Sequence, residues 1–136
     1  MTSTYTDGVL YLNAGDNLSE DLTYLGDLTG RTLLWVTLKK SLSDADSAAL
    51  IQIEETAGLA YINGTAATVA GNGSITVTGV AAGNITWALA AAESVKLIGI
   101  SGKCYLDVKW ADAAGNIWTL HRKKVTVTAD STRAVA

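Results

Sequence analysis

Apolar and polar residues alternate along this chain with a period of two far more often than with the 3.6-residue period of a helix. Segment 32–39 sets Leu34, Val36 and Leu38 on one face, with Trp35 opposite them. Segment 104–110 divides more cleanly: Cys104, Leu106, Val108 and Trp110 point one way, and Tyr105, Asp107 and Lys109 the other. The same alternation, with Thr outward, runs through 75–78 and 125–128. Residues of high β propensity in this order form strands that bury one face. Shorter candidate strands lie at 8–12, 22–25, 50–54, 59–62, 85–89 and 117–122.

Turn residues separate these runs. Asn63-Gly64, Asn72-Gly73, Gly83-Asn84 and Gly115-Asn116 supply residues that tolerate positive φ. Their short spacing is that of a sandwich. Residues 111–116 join two strong strands into an expected antiparallel hairpin. Helical turns are expected only at 44–49 and 90–97, and the absence of a βαβ rhythm argues against a parallel sheet. The chain contains no Pro, which removes one common protection of edge strands and points to edges covered by a partner. The pattern predicts one β-sandwich domain over 1–136, with residues 1–7 and 129–136 as terminal arms.

Composition narrows this. A chain of 136 residues, 49% of them hydrophobic, is large enough for one sizeable core. A formal charge of −3 argues against a nucleic-acid partner, which calls for a basic field. Cys104 is the sole cysteine, so no internal disulfide forms and no oxidising compartment is needed. The first residues lack the basic and apolar regions of a secretory signal, and no apolar run approaches the roughly 20 residues that span a bilayer. Folding in the cytoplasm and no membrane association are the expectations.

Candidate chemistry is sparse. His121 is the one side chain with an ordinary neutral-pH titration, and its place in an alternating strand beside Arg122, Lys123 and Lys124 reads as structural. A Cys104–His121 nucleophile pair is disfavoured because Cys104 falls on the inward face, where a thiol behaves as a small hydrophobe. Asp44, Asp46 and Glu55 suggest a calcium loop, but Ala48 and Ala49 stand where an EF-hand needs an oxygen ligand and Gly. One His and one Cys exclude the usual zinc clusters. Residues 70–74 lack the Lys-Ser/Thr of a phosphate loop and read as a hairpin turn. No catalytic residue, metal site or cofactor is therefore expected.

Charge and aromatics point instead to assembly. Before Arg31 there are five carboxylates, including Asp16, Glu20 and Asp21, and no basic side chain. After Ile117, Arg122, Lys123, Lys124 and Arg133 outnumber Asp130. This segregation either steers docking onto a neighbour or another copy, or is neutralised within the fold if first and last strands are adjacent. Trp87 and Trp110 have core phases, whereas Trp35 and Trp118 lie opposite the apolar faces of their strands. Exposed Trp anchors interfaces, and sheet curvature is the alternative that would bury these two at the rim. The candidate interface residues are thus Trp35, Trp118, Arg122, Lys123, Lys124, Asp16, Glu20 and Asp21.

Segments 27–40, 43–52, 105–116 and 125–130, with Thr132-Arg133, together resemble the small immunoglobulin-like β-sandwich proteins of tailed bacteriophages. These stand at the start of baseplate upper proteins, and similar small β proteins decorate or cement phage heads. The likeness runs from about Gly8 to Arg133 and departs at 121–124, where relatives commonly carry Gly before the last strand. It implies an all-β, antiparallel β-sandwich, immunoglobulin-like or jelly-roll-like, with one or two short helical turns. It further implies a non-enzymatic virion protein made in the host cytoplasm: first a capsid decoration or cement subunit that binds the major capsid protein or other virion proteins and associates with itself. A tail or baseplate connector or fibre adaptor is the second expectation, and a carbohydrate-binding module using Trp35 or Trp118 comes from another class.

Overall fold

A computed structural model describes residues 4–6, 9–41, 43–97 and 102–128; the side chains of 4–6, 9–11, 102–103, 121 and 128 are outside that description. The strands are β1 (Thr4–Thr6), β2 (Val9–Asn13), β3 (Leu18–Leu22), β4 (Leu33–Lys39), β5 (Ile51–Glu54), β6 (Gly58–Ile62), β7 (Thr65–Ala66), β8 (Gly73–Gly79), β9 (Asn84–Leu89), β10 (Gly102–Ala111) and β11 (Ile117–Thr128). The helical turns expected from sequence are a 3₁₀ turn at Asp46–Ala48 and a short helix α1 (Ala91–Ser94) continued as 3₁₀ through Leu97. A further 3₁₀ turn at Ala70–Asn72 carries the chain from β7 in one sheet to β8 in the other. Residues 70–74 are therefore a sheet-crossing turn and not the tip of a hairpin.

The larger sheet has the order β1-β2-β11-β10-β4-β5-β6-β7, and the smaller is β3-β9-β8. Three adjacent strands on one side, and a sheet built around β11-β10-β4-β5-β6 on the other, is the strand order of a variable-type immunoglobulin sandwich. That order settles the choice between the two expected sandwich types. Among the described residues all pairings are antiparallel except β2 with β11, which run parallel from Val125↔Leu10 to Thr128↔Asn13. The first and last parts of the chain thus lie side by side without a βαβ crossover. Residues 4–6, expected as part of an arm, form an edge strand on β2; residues 1–3, 7 and the expected arm at 129–136 fall outside the description.

The core follows the alternation. Leu34, Val36 and Leu38 of β4, Leu106 and Val108 of β10, and Val125 and Val127 of β11 face Leu18, Leu22, Ile75, Ile85, Trp87 and Leu89 of the smaller sheet, and all are buried. The strand expected at 22–25 lies earlier, as β3. Its alternation Leu18, Glu20, Leu22 is inward, with a carboxylate at the centre, and Tyr24 ends it by taking a φ of 57°.

Glu20 meets two partners in the core, one from its own sheet and one from the other. The Trp87 indole Nε1 donates to Glu20 Oε1 at 2.8 Å, and the Lys123 ammonium, from the other sheet, pairs with Glu20 Oε2. Lys123 faces inward because it lies directly opposite Leu106 and two residues from Val125. Both charged side chains are buried, and burial pulls the Lys123 pKa down while Glu20 pulls it up. At one end, Ser94 Oγ donates to the Asp16 carbonyl at 2.5 Å and accepts from Gly15 N–H. Nearby Glu93 joins Lys96 and Asn72.

Two expectations follow. Glu20→Ala removes the carboxylate from a buried ion pair and should cost about 3–5 kcal/mol, whereas Glu20→Leu combined with Lys123→Met should recover most of it; urea unfolding measures both. The Lys96 ion pair and the Asn72 hydrogen bond hold the Glu93 carboxyl below its ordinary 4.5. Its stabilising contribution is then full above pH 4.5 and lost as pH falls through the lowered folded value. Thermal melting across pH 2 to 6 should show a shallower acid loss in Glu93→Gln.

Candidate interaction surfaces

At one end of the sandwich the connections 23–32, 55–57, 80–83 and 112–116 meet, as the recognition loops of variable-type domains do. Hydrogen bonds tie them together. Leu25 N–H donates to the Gly83 carbonyl at 3.1 Å, Leu28 N–H to the Val80 carbonyl at 3.0 Å, and Tyr24 N–H to Asn84 Oδ1 at 3.0 Å. Arg31 grips Glu55 with two nitrogens, at 2.7 and 2.6 Å, and Thr32 N–H donates to the Ala111 carbonyl at 2.8 Å. Gly83, at φ 74°, sits against the Gly26 backbone so closely that a Cβ would collide with it.

This fastened end is also where apolar side chains reach solvent. Among the described residues the exposed large apolar side chains are Tyr24, Val69, Val80, Ile117 and Trp118, and all but Val69 are at this end. Trp118 is 52% exposed, and its indole N–H is held by Asp112 Oδ2 at 3.1 Å. Asp112 also accepts from the Ala114 and Asn116 amides, at 3.0 and 2.9 Å. The Trp118 bond, with those of the turn, holds the Asp112 carboxyl below its ordinary range. Asp112 thus ties the turn and the exposed Trp118 ring together.

The second surface is the outer face of the larger sheet. Register sets Arg122, Asp107, Thr37, Gln52 and Tyr61 in one row across five strands, with Thr119, Lys109, Trp35 and Glu54 in the next. Arg122 Nε bonds Asp107 Oδ1 at 2.7 Å, and Lys39 Nζ bonds Asp46 Oδ1 at 2.9 Å. Between these pairs lies a concavity of about 150 Å³, with Trp35 and Ile117 on its wall. Trp35 is half-buried here.

The expected interface residues divide accordingly. Trp118, Arg122, Lys124 and Asp21 are exposed, and Asp21 accepts a hydrogen bond from Thr86 Oγ1 at 2.7 Å. Asp16 is half-buried. Glu20 and Lys123 are corrections: both lie between the sheets and neutralise each other, so neither presents its charge to a partner. Tyr24 is 84% exposed and Val80 40%; neither figured among the expected residues, because a single apolar side chain in a loop carries no periodicity.

The remaining candidates do not converge. Cys104 pairs with Val125 and His121 with Val108, four positions apart along β10, which is about 13 Å. Burial pushes the Cys104 thiol pKa up, and the His121 side chain lies outside the described residues. Asp44 accepts from the Ser41 amide, Asp46 pairs with Lys39, and Glu55 with Arg31, so the suspected calcium ligands are dispersed among separate partners. Among the described residues no group of three or more His, Cys, Asp or Glu is placed to hold a metal, and no helix is long and apolar enough to cross a membrane.

No protein-family model matches the chain, and no curated protein matches it in sequence. Solved structures similar to it include murine CRIg, with a TM-score of 0.47 at 15% identity over 93% of this chain and 96% of that one. The NK cell receptor Nkp44 gives 0.47 at 16% identity over 93% and 100%. Bovine butyrophilin gives 0.46 at 11% identity over 95% and 55%.

Fastening of the loop end generates a direct test. Gly83→Ala forces the 23–32 loop away from the 80–83 turn. Amide hydrogen exchange should accelerate at Leu25 and Leu28 and stay unchanged at Leu106 and Val108, deep in the core.

Proposed function

We propose that this protein is a non-enzymatic structural subunit of a tailed-phage virion, a capsid decoration or cement protein that docks through its loop end. The observation that carries the docking surface is the set of Tyr24, Val80, Ile117 and Trp118 at the end where the 23–32 loop and the 80–83 turn are fastened to each other. Apolar side chains held in place before binding lose little entropy on docking, and aromatic anchors dominate such interfaces. The phage context is supported by the sequence resemblance through segments 27–40 and 105–116. The partners in this reading are the major capsid protein or other virion proteins, together with further copies of the chain.

The same resemblance favours a second placement, as a tail or baseplate connector or fibre adaptor, since it includes the start of baseplate upper proteins. The loop end would serve there in the same way.

Virions assembled without this protein should lose resistance to heat and to chelation, and Trp118→Ala should reduce its occupancy on purified particles about tenfold or more. Undiminished capsid resistance together with immunogold label at the tail tip would move the assignment to the baseplate. Full occupancy by the Trp118→Ala, Tyr24→Ala double variant would show that the loop end is not the docking surface.

A further inference from the structure

The concavity on the outer face of β10, β4 and β5 shares Ile117 with the loop end but is otherwise lined by different, largely polar residues. Thr37, Gln52 and Asp107 stand on the solvent side of the sheet, yet they are only 8%, 7% and 7% exposed. A polar floor of this kind is built by its neighbours: Lys39 with Asp46 closes one side, and Arg122 holds Asp107 on the other. Gln52 Nε2 leans on Thr37 Oγ1 at 3.4 Å.

We propose that this concavity binds one hexopyranose unit of a glycan. Size is the first reason. About 150 Å³ suits a single ring and falls short of the ~300–1,000 Å³ of pockets that enclose a larger ligand. Charge is the second. The lining carries Lys39 and Lys109 against Asp46 and Asp107, which sum to zero and create no field for phosphate or for a strong cation.

The third reason is the kind of surface. Trp35 and Ile117 form an apolar wall beside the polar floor, and a pyranose has the matching pair of faces: C–H groups that pack on an aromatic ring, and hydroxyls that both donate and accept. Hydrogen-bonding capacity remains for it. Lys109, with its ammonium donors, and Trp35, with its indole N–H, both line the concavity, while the carboxylates of Asp46 and Asp107 each carry two oxygens with more acceptor sites than Lys39, Gln52 and Arg122 use. A shallow one-ring site binds in the millimolar range and becomes effective when many copies are displayed together.

The experiment is a titration of the ¹⁵N-labelled protein with the methyl glycosides of glucose, galactose and N-acetylglucosamine and with glucuronate. Saturable shifts are expected at the Trp35 indole N–H and the Gln52 amide, with the Trp118 indole unmoved. Trp35→Ala should weaken binding about tenfold or more, and Trp118→Ala should leave it intact. Lys109→Gln, on an exposed enough stem to spare the fold, should weaken it less, and an unchanged amide spectrum certifies that each variant is folded. Absence of saturable shifts at Trp35 with all the probes overturns the proposal. So do shifts confined to Trp118, or Trp35 and Gln52 signals that respond to a purified virion protein and to none of the sugars. Each of these results leaves the capsid-docking reading to be judged by its own particle assays.

Discussion

The Glu20 carboxylate is where the two sheets are chemically joined. It lies in the apolar layer with a Trp87 N–H from its own sheet and the Lys123 ammonium from the opposite one. A buried charge is tolerable only when paired and hydrogen-bonded, so the position of β11 against β3 is set by where these groups must meet. A one-residue slip of β11 would turn Lys123 outward and leave Glu20 uncompensated. Antibody domains make their inter-sheet connection with a disulfide; here Cys104 is the sole cysteine and the connection is ionic. Sheet alignment in this protein is consequently independent of redox conditions.

With the sheets aligned, the same scaffold presents two surfaces of different character. The loop end is apolar and held by backbone hydrogen bonds between connections far apart in sequence, such as Leu28 to Val80. The outer sheet face is polar and held by side-chain ion pairs, Arg122 with Asp107 and Lys39 with Asp46. The first is suited to excluding water over an area, the second to satisfying individual hydrogen-bonding groups. Trp residues take part in both, with Trp118 at one and Trp35 at the other.

Most of the framework was legible in the sequence because the inward positions of β4, β8, β9 and β10, and of β11 at Val125 and Val127, are apolar at every second residue. Leu34, Val36 and Leu38 illustrate it, and Trp87 and Cys104 fall inside as their phases require. Legibility failed where a charge occupied an inward position. Glu20 broke the apolar pattern of β3 and displaced the expected strand toward 22–25, and Lys123 was hidden in a basic run although it continues the phase of Val127 and Val125. Both errors have one source, since the charges identify each other only across the core. The parallel pairing of β2 with β11 and the gathering of Tyr24 with Val80 at one end are likewise products of long-range association, with no local signal. Of the candidate interface residues, Trp118 is exposed but not through its expected phase: the bulge between Val108 and Lys109 sets it in register with Trp110 and turns Ile117 to the outer face instead. The outer concavity required the register of neighbouring strands before Trp35, Gln52 and Lys109 could be seen as neighbours.

The β10–β11 hairpin has a shape consequence. Ile117 and Trp118 are consecutive in an extended strand, so their side chains leave opposite faces: Ile117 toward the outer concavity, Trp118 in register with Trp110. A flat surface laid on either face covers one of them and leaves the other wet. Only a slot, with walls on both sides, removes both from water at once. The tip therefore has the geometry of a tenon, and the surface that receives it fully is a mortise between two walls.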